Sequence, residues 1–221
     1  MFAYYAIILT TDNQSTYVFI DASNLFYGGE KSLGWKIDYK RLLTYLRNKY
    51  FVSKVFYFGG VETYSFQYDY LNNHSVPLGK LEKHYLNLIN SQQQNFNEAE
   101  LALLARHLQR VRFYKMLESF GYILCLKPVK QYIQEDGSTK RKANCDVDMA
   151  FYLIKEEANF TRAIILSGDG DFLPILKYLK GLGKEVIVLA RGKRTAREIK
   201  QFAGSNFRDF VRLENHIKYF K

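Results

Sequence analysis

The sequence predicts an α/β domain organised on a mainly parallel sheet, and three observations carry that reading. Tyr17–Ile20, Val55–Phe58 and Ala163–Leu166 are unbroken apolar runs, too short for helices. Runs of that kind suit strands buried on both faces of a parallel sheet. Between and after them, apolar residues recur at helical spacing, as in Leu42, Leu43, Leu46 and Tyr50. The chain has 221 residues, 48 % of them hydrophobic, enough to bury a core without disulfides or a structural metal.

In order along the chain, residues 1–16 read as a loosely held leader before the first strand. That strand, Tyr17–Ile20, runs into Asp21-Ala-Ser-Asn24, placing a carboxylate at its C-terminal end. Asp38 is positioned to cap a helix reaching Tyr50. Val55–Phe58 follows as a second strand that Gly59-Gly60 is expected to close. Strand, helix and strand form a βαβ unit with a right-handed crossover.

From Val61 the rhythm breaks. Residues 61–120 read as a helical elaboration on the sheet: one helix around Leu81, Tyr85, Leu88 and Ile89, and a second opened by an Asn97/Glu100 capping box. The basic residues here, Arg106 and Arg110 among them, read most simply as a solvated face. Gly121 ends the second helix, and Tyr122–Leu126 is a third strand. A hairpin turn is expected at Asp136-Gly137, flanked by basic residues up to Lys142, before a helix that starts at Asp146-Val-Asp148. Successive helical residues turn about 100°, so one of these two acids faces any given point, and Asp146 is the one expected inward.

Ala163–Leu166 then leads through Ser167-Gly168-Asp169-Gly170-Asp171 into a helix marked by Phe172, Ile175, Leu176 and Leu179. Asp171 could serve as an ordinary N-cap, whereas Asp169 is not demanded by the turn. Glu185–Leu189 is the last clear strand. The basic Arg191–Arg197 segment follows, and then a helix leading towards Phe207 and Phe210. The domain is expected over 17–213, with 214–221 as a tail.

Composition narrows the function. Lys and Arg total 32 against 22 Asp and Glu, a net charge of +10, which favours a polyanionic partner such as nucleic acid. Two cysteines, Cys125 and Cys145, and four scattered histidines argue against a disulfide framework and against a zinc enzyme. The first ten residues lack the basic start and cleavage site of a signal peptide, and no apolar run approaches a membrane span. A cytoplasmic, membrane-free protein is the expectation.

Acids from three segments should therefore meet at one edge of one sheet: Asp21, Asp146, and Asp169 with Asp171. Crowded carboxylates repel, and a divalent cation relieves that. An all-oxygen donor set suits Mg²⁺ or Mn²⁺ and phosphodiester hydrolysis.

The segments VFIDASNLFYG, KANCDVDMAFYL and AIILSGDGDFLPILKYLKGLGKEVIVLA resemble the NYN domain, in particular its LabA/DUF88 branch within the PIN-like nuclease superfamily. The resemblance implies a three-layer αβα sandwich with a Rossmann-like parallel sheet, an acidic Mg²⁺- or Mn²⁺-binding pocket and ribonuclease activity. It assigns Asp21, Asn24, Asp146, Asp169 and Asp171 to that pocket, the four acids as metal ligands. Lys142 takes the family's lysine position. With Ser167, Arg191, Lys193 and Arg194 it is expected to meet the substrate, RNA in the first instance and DNA as the alternative. The chain departs from the pattern at Tyr152, where many relatives carry a further acid.

Two rivals stand beside this reading. A haloacid-dehalogenase-type phosphatase would need a second acid two residues after the first-strand Asp, and the chain has Ser23 there. A PIN-like module that binds RNA or protein with a weakened metal site is favoured by Tyr152. The aromatic content of Val61–Gln109 is compatible with a homodimer interface or an internal helix pair.

Overall fold

The computed structural model describes residues 15–26, 31–91, 96–133 and 139–220, with the backbone alone at 91, 131–133 and 139–142. Most of the expected leader, the Asp136-Gly137 turn and the Lys142 side chain lie outside what is described.

Six parallel strands form one sheet: β1 (Thr16–Asp21), β2 (Val52–Val61), β3 (Ile123–Pro128), β6 (Arg162–Leu166), β7 (Glu185–Ala190) and β8 (Phe207–Asp209). Their spatial order is β3-β2-β1-β6-β7-β8. β4 (Lys130–Ile133) and β5 (Thr139–Lys142) make a separate antiparallel hairpin. The helices are α1 (Tyr39–Tyr50), α2 (Leu78–Ser91), α3 (Glu98–Phe120), α4 (Asp146–Lys155), α5 (Leu173–Gly181), α6 (Arg197–Ala203) and α7 (Glu214–Ile217).

Alternation along β1 divides the core. Val18 and Ile20 pack with Leu42 and Leu46 of α1, Leu81 and Tyr85 of α2, and Val111 and Leu117 of α3. Tyr17 and Phe19 pack with Met149 and Leu153 of α4, Leu176 and Leu179 of α5, and Ile199 of α6. The architecture is thus an αβα sandwich, and the helical elaboration shares the sheet's own core.

Local chemistry sets the boundaries. The Asp38 carboxylate accepts the Arg41 amide at 3.0 Å and caps α1. Asn97 and Glu100 exchange both bonds of a capping box at the start of α3. Gly121, at φ +102°, ends α3 in the left-handed conformation.

Two boundaries differ from expectation. Gly59-Gly60 does not close β2, which continues to Val61, with Gly60 paired to Lys127. A Cβ on Gly60 would stand 2.6 Å from the Cβ of Ala143, so the glycine permits a close approach and makes no turn. The helix expected to lead to Phe207 stops at Ala203, and Phe207–Asp209 joins β7 as the sixth strand. The C-terminal residues are also built in. Arg41 donates to the carbonyls of Asn215, His216 and Lys218, and Ile217 is fully buried.

The order of the sheet positions the site. From β1 the chain builds outward to β2 and β3, then returns to β6 on the other side of β1. The carboxyl ends of β1 and β6 therefore flank a topological switch point, where open α/β sheets bind ligands.

An acidic cavity at the switch point

β1 ends on Asp21, whose extended backbone (φ −77°, ψ 109°) lets its side chain cap the turn Ala22–Asn24. Asp21 Oδ1 accepts from the Ser23 amide at 2.9 Å, the Ser23 hydroxyl at 2.8 Å and the Asn24 amide at 3.2 Å. β6 ends the same way. Asp169, also extended, accepts the Asp171 amide on Oδ1 at 3.0 Å and caps the turn Gly170–Phe172. Asp169 is therefore the capping residue, the role the sequence offered to Asp171. Both acids have a local structural task, and it fixes how their carboxylates point.

The two turns are bonded to each other. The buried Ser167 hydroxyl donates to Asp21 Oδ2 at 3.4 Å and accepts the Asp169 amide at 3.3 Å. Asn24 Oδ1 accepts the Gly168 amide at 3.2 Å. Gly168 is required because Thr195 crosses it; a Cβ there would come within 2.9 Å of the Thr195 Cα.

Asp21, Asn24, Asp146 and Asp169 line one cavity of about 590 Å³, together with Asn144, Glu62 and Arg110. Asn144 Oδ1 accepts the Asp146 amide at 3.1 Å and orients the start of α4. Glu62, immediately beyond β2, is an acid the sequence reading passed over. It follows the strand beside β1, at the same edge of the sheet. Arg110 reaches the cavity from α3, its guanidinium carbon 5.7 Å from the centre of the Tyr114 ring.

Other expected residues lie elsewhere. Asp171 is exposed and does not line the cavity. Asp148 pairs with Lys127. Arg191 pairs with Asp209 at 3.3 Å and lines, with Lys193, a different cavity near β8; Arg194 lies in the adjoining turn and does not line the acidic cavity. Ser167 is buried behind the acids. Tyr152 sits between Phe56 and Phe58, ring centres 5.4 and 5.5 Å away, on the core side of α4. Desolvation by burial, foremost, raises its phenol to about 12.

The cavity wall offers carboxylate and amide oxygens, the donor chemistry of a hard divalent cation. Among the described residues, no three His, Cys, Asp or Glu side chains are gathered closely enough to enclose an ion. An ion of the Mg²⁺ type keeps several waters and takes one or two carboxylates, so it does not need such an enclosure. Asp21, Asp146 and Asp169 are carboxylates that line this wall. Cys125 and Cys145 are free and buried, and desolvation raises their thiols to about 11 and about 12.

The cavity sits at the switch point of a parallel αβα sandwich, a fold that the family match identifies as PIN-like and nuclease-type. The NYN domain family model matches residues 15–211, and the chain belongs to that family. It is similar to Low amplitude and bright protein LabA of Synechococcus elongatus, 21% identical over 187 residues that cover 83% of this chain and 77% of that protein. The crystal structure of a Vibrio parahaemolyticus protein of unknown function shares the fold at a TM-score of 0.52 and 19% identity, covering 86% of this chain and 90% of that one. No helix among the described residues is long and apolar enough to cross a membrane.

Proposed function

We propose that this chain is a divalent-metal-dependent ribonuclease, cutting RNA internally in the cytoplasm. One observation carries the reading: Asp21, Asp146 and Asp169, from three separate segments, wall a single cavity at the carboxyl ends of the central strands. A bound Mg²⁺ or Mn²⁺ would supply Lewis acidity and offset the negative charge of a phosphodiester. The protein's own part is positioning. Ser167 and Asn24 hold the turns of Asp21 and Asp169 in register, and Asn144 sets the entry of Asp146. Arg110 supplies a cation at the cavity for a phosphate oxygen.

The test is cleavage of mixed-structure RNA and single-stranded DNA with Mn²⁺, Mg²⁺ or EDTA, beside Asp169→Asn. Metal-dependent cutting that the variant loses is the expected result. A variant that cuts as fast as the natural protein removes the assignment. A second reading, a module that binds RNA without cutting it, is favoured by Tyr152 standing in the core where many relatives have an acid. Retention of RNA without cleavage under every metal condition would select it.

A further inference from the structure

The acidic cavity has a basic neighbour. Phe26, Tyr39 and Arg110 also line a second hollow of about 760 Å³ between α1, α3 and the C-terminal segment. The two hollows are therefore neighbours that share these three wall residues. Lys36, Lys40, Arg106 and Arg110 line the second hollow against one carboxylate, Asp38, whose oxygen already caps α1. Apolar surface lies between the cations: Met116 is 42 % exposed and Tyr219 50 % exposed, and the Lys40 ammonium sits 6.0 Å from the centre of the Phe120 ring.

We propose that this trough holds a single-stranded stretch of nucleic acid that leads into the acidic cavity. The inference rests on the nucleic-acid part of the proposed function and not on cleavage. Electrostatics favours the occupant. A polyanion approaching three carboxylates is repelled, and a run of four cations beside them holds the flanking phosphates. The aromatic and thioether surfaces specify an unpaired strand, because a base presents its face for stacking only outside a duplex. The cationic residues of α3 thus have a task as part of a track, and the helical elaboration becomes the substrate-guiding portion of the domain.

The experiment measures binding of a labelled twelve-nucleotide single-stranded RNA, the matching DNA and the RNA duplex, in EDTA, to the full chain across a salt series. Lys36→Ser/Lys40→Ser/Arg106→Ser is compared with Lys155→Ser/Lys177→Ser/Lys200→Ser, which removes equal charge from the opposite helical layer. The trough variant should bind single strands at least about tenfold more weakly. Its salt slope should fall by about 2, from roughly 0.7 for each lost phosphate contact. Tyr219→Ala should weaken binding with no change in slope. Equal affinities for the two triple variants, or duplex bound as tightly as single strand, overturn the proposal. So does a trough variant that disrupts self-association while leaving RNA affinity unchanged. If the natural protein cuts RNA and the trough variant does so equally well, the trough fails and the nuclease stands. If RNA binds through the trough and is never cut, the nuclease fails and the trough stands.

Discussion

The Oδ1 of Asn24 accepts the amide of Gly168 at 3.2 Å and joins the turn after β1 to the turn after β6. These turns carry Asp21 and Asp169, so the bond sets the spacing of two acids that belong to adjacent strands. Asn24→Ala removes one hydrogen bond, a cost of about 1 kcal/mol to the fold. It also frees the turns to shift, and small misplacements at a reacting centre cost on the order of 10- to 100-fold in rate. Cleavage should therefore fall much more than the melting temperature, as paired kinetic and calorimetric runs would establish.

Gly168 is constrained from the other side. A methyl group there would meet Thr195 Oγ1 at 2.7 Å and Thr195 Cα at 2.9 Å. The backbone atom cannot rotate away, so trimming the Thr195 side chain relieves only part of the clash. Gly168→Ala should destabilise by about 1–3 kcal/mol, and Gly168→Ala/Thr195→Ala, which removes the clashing hydroxyl oxygen, should recover only part of it in denaturant titrations. Full recovery by the second change would show that the side chain alone was in the way.

How much of this was legible in the sequence depends on what each residue's signal was. β1 and β6 announce themselves because central parallel strands are apolar on both faces, and an Asp at the end of each is plain to read. β8 was not legible: Phe207-Arg-Asp209 is three residues long and is defined by its pairing with β7, not by a pattern of its own. Glu62 was hidden behind Gly59-Gly60, a pair that reads as a turn but lies inside β2 because Ala143 packs against it. By spacing the cap reads as Asp171, and only the backbone geometry shows that Asp169 takes that role. The basic Arg191–Arg194 segment looked like a phosphate site because its charge is local in sequence. The cations that line the hollow next to the acids come from α3 and from the region entering α1, and their convergence is a property of the packed fold.

Tyr152 tests whether the site lacks an acid that could simply be restored. Its ring is half-buried between Phe56 and Phe58. Tyr152→Glu would place a carboxylate against aromatic core and lose the ring packing. A loss of about 2–4 kcal/mol is expected, with no gain in cleavage per folded molecule. An increase in metal-dependent cleavage by the variant would show that the side chain reaches the cavity after all.

The buried acids of the core set the alkaline limit of the fold. Desolvation raises Tyr85 and Tyr114 to about 12, and raises Tyr57 and Tyr122 as well; it raises Cys125 to about 11 and Cys145 to about 12. Each of these groups is neutral when protonated, and each holds its proton more tightly in the folded state than in the unfolded chain. Between the two values the unfolded chain binds fewer protons, so stability falls as pH rises. The contribution is complete below the unfolded values, about 8.5 for cysteine and about 10 for tyrosine, and drains away through the folded ones. Denaturant midpoints should therefore show no loss from these groups up to about pH 8 and a progressive fall from about pH 9 upward. Cys145→Ala should make that fall shallower, because it removes the thiol that burial raises further. A midpoint that climbs between pH 9 and 11 would mean that these groups are ionised, and therefore solvated, in the native protein.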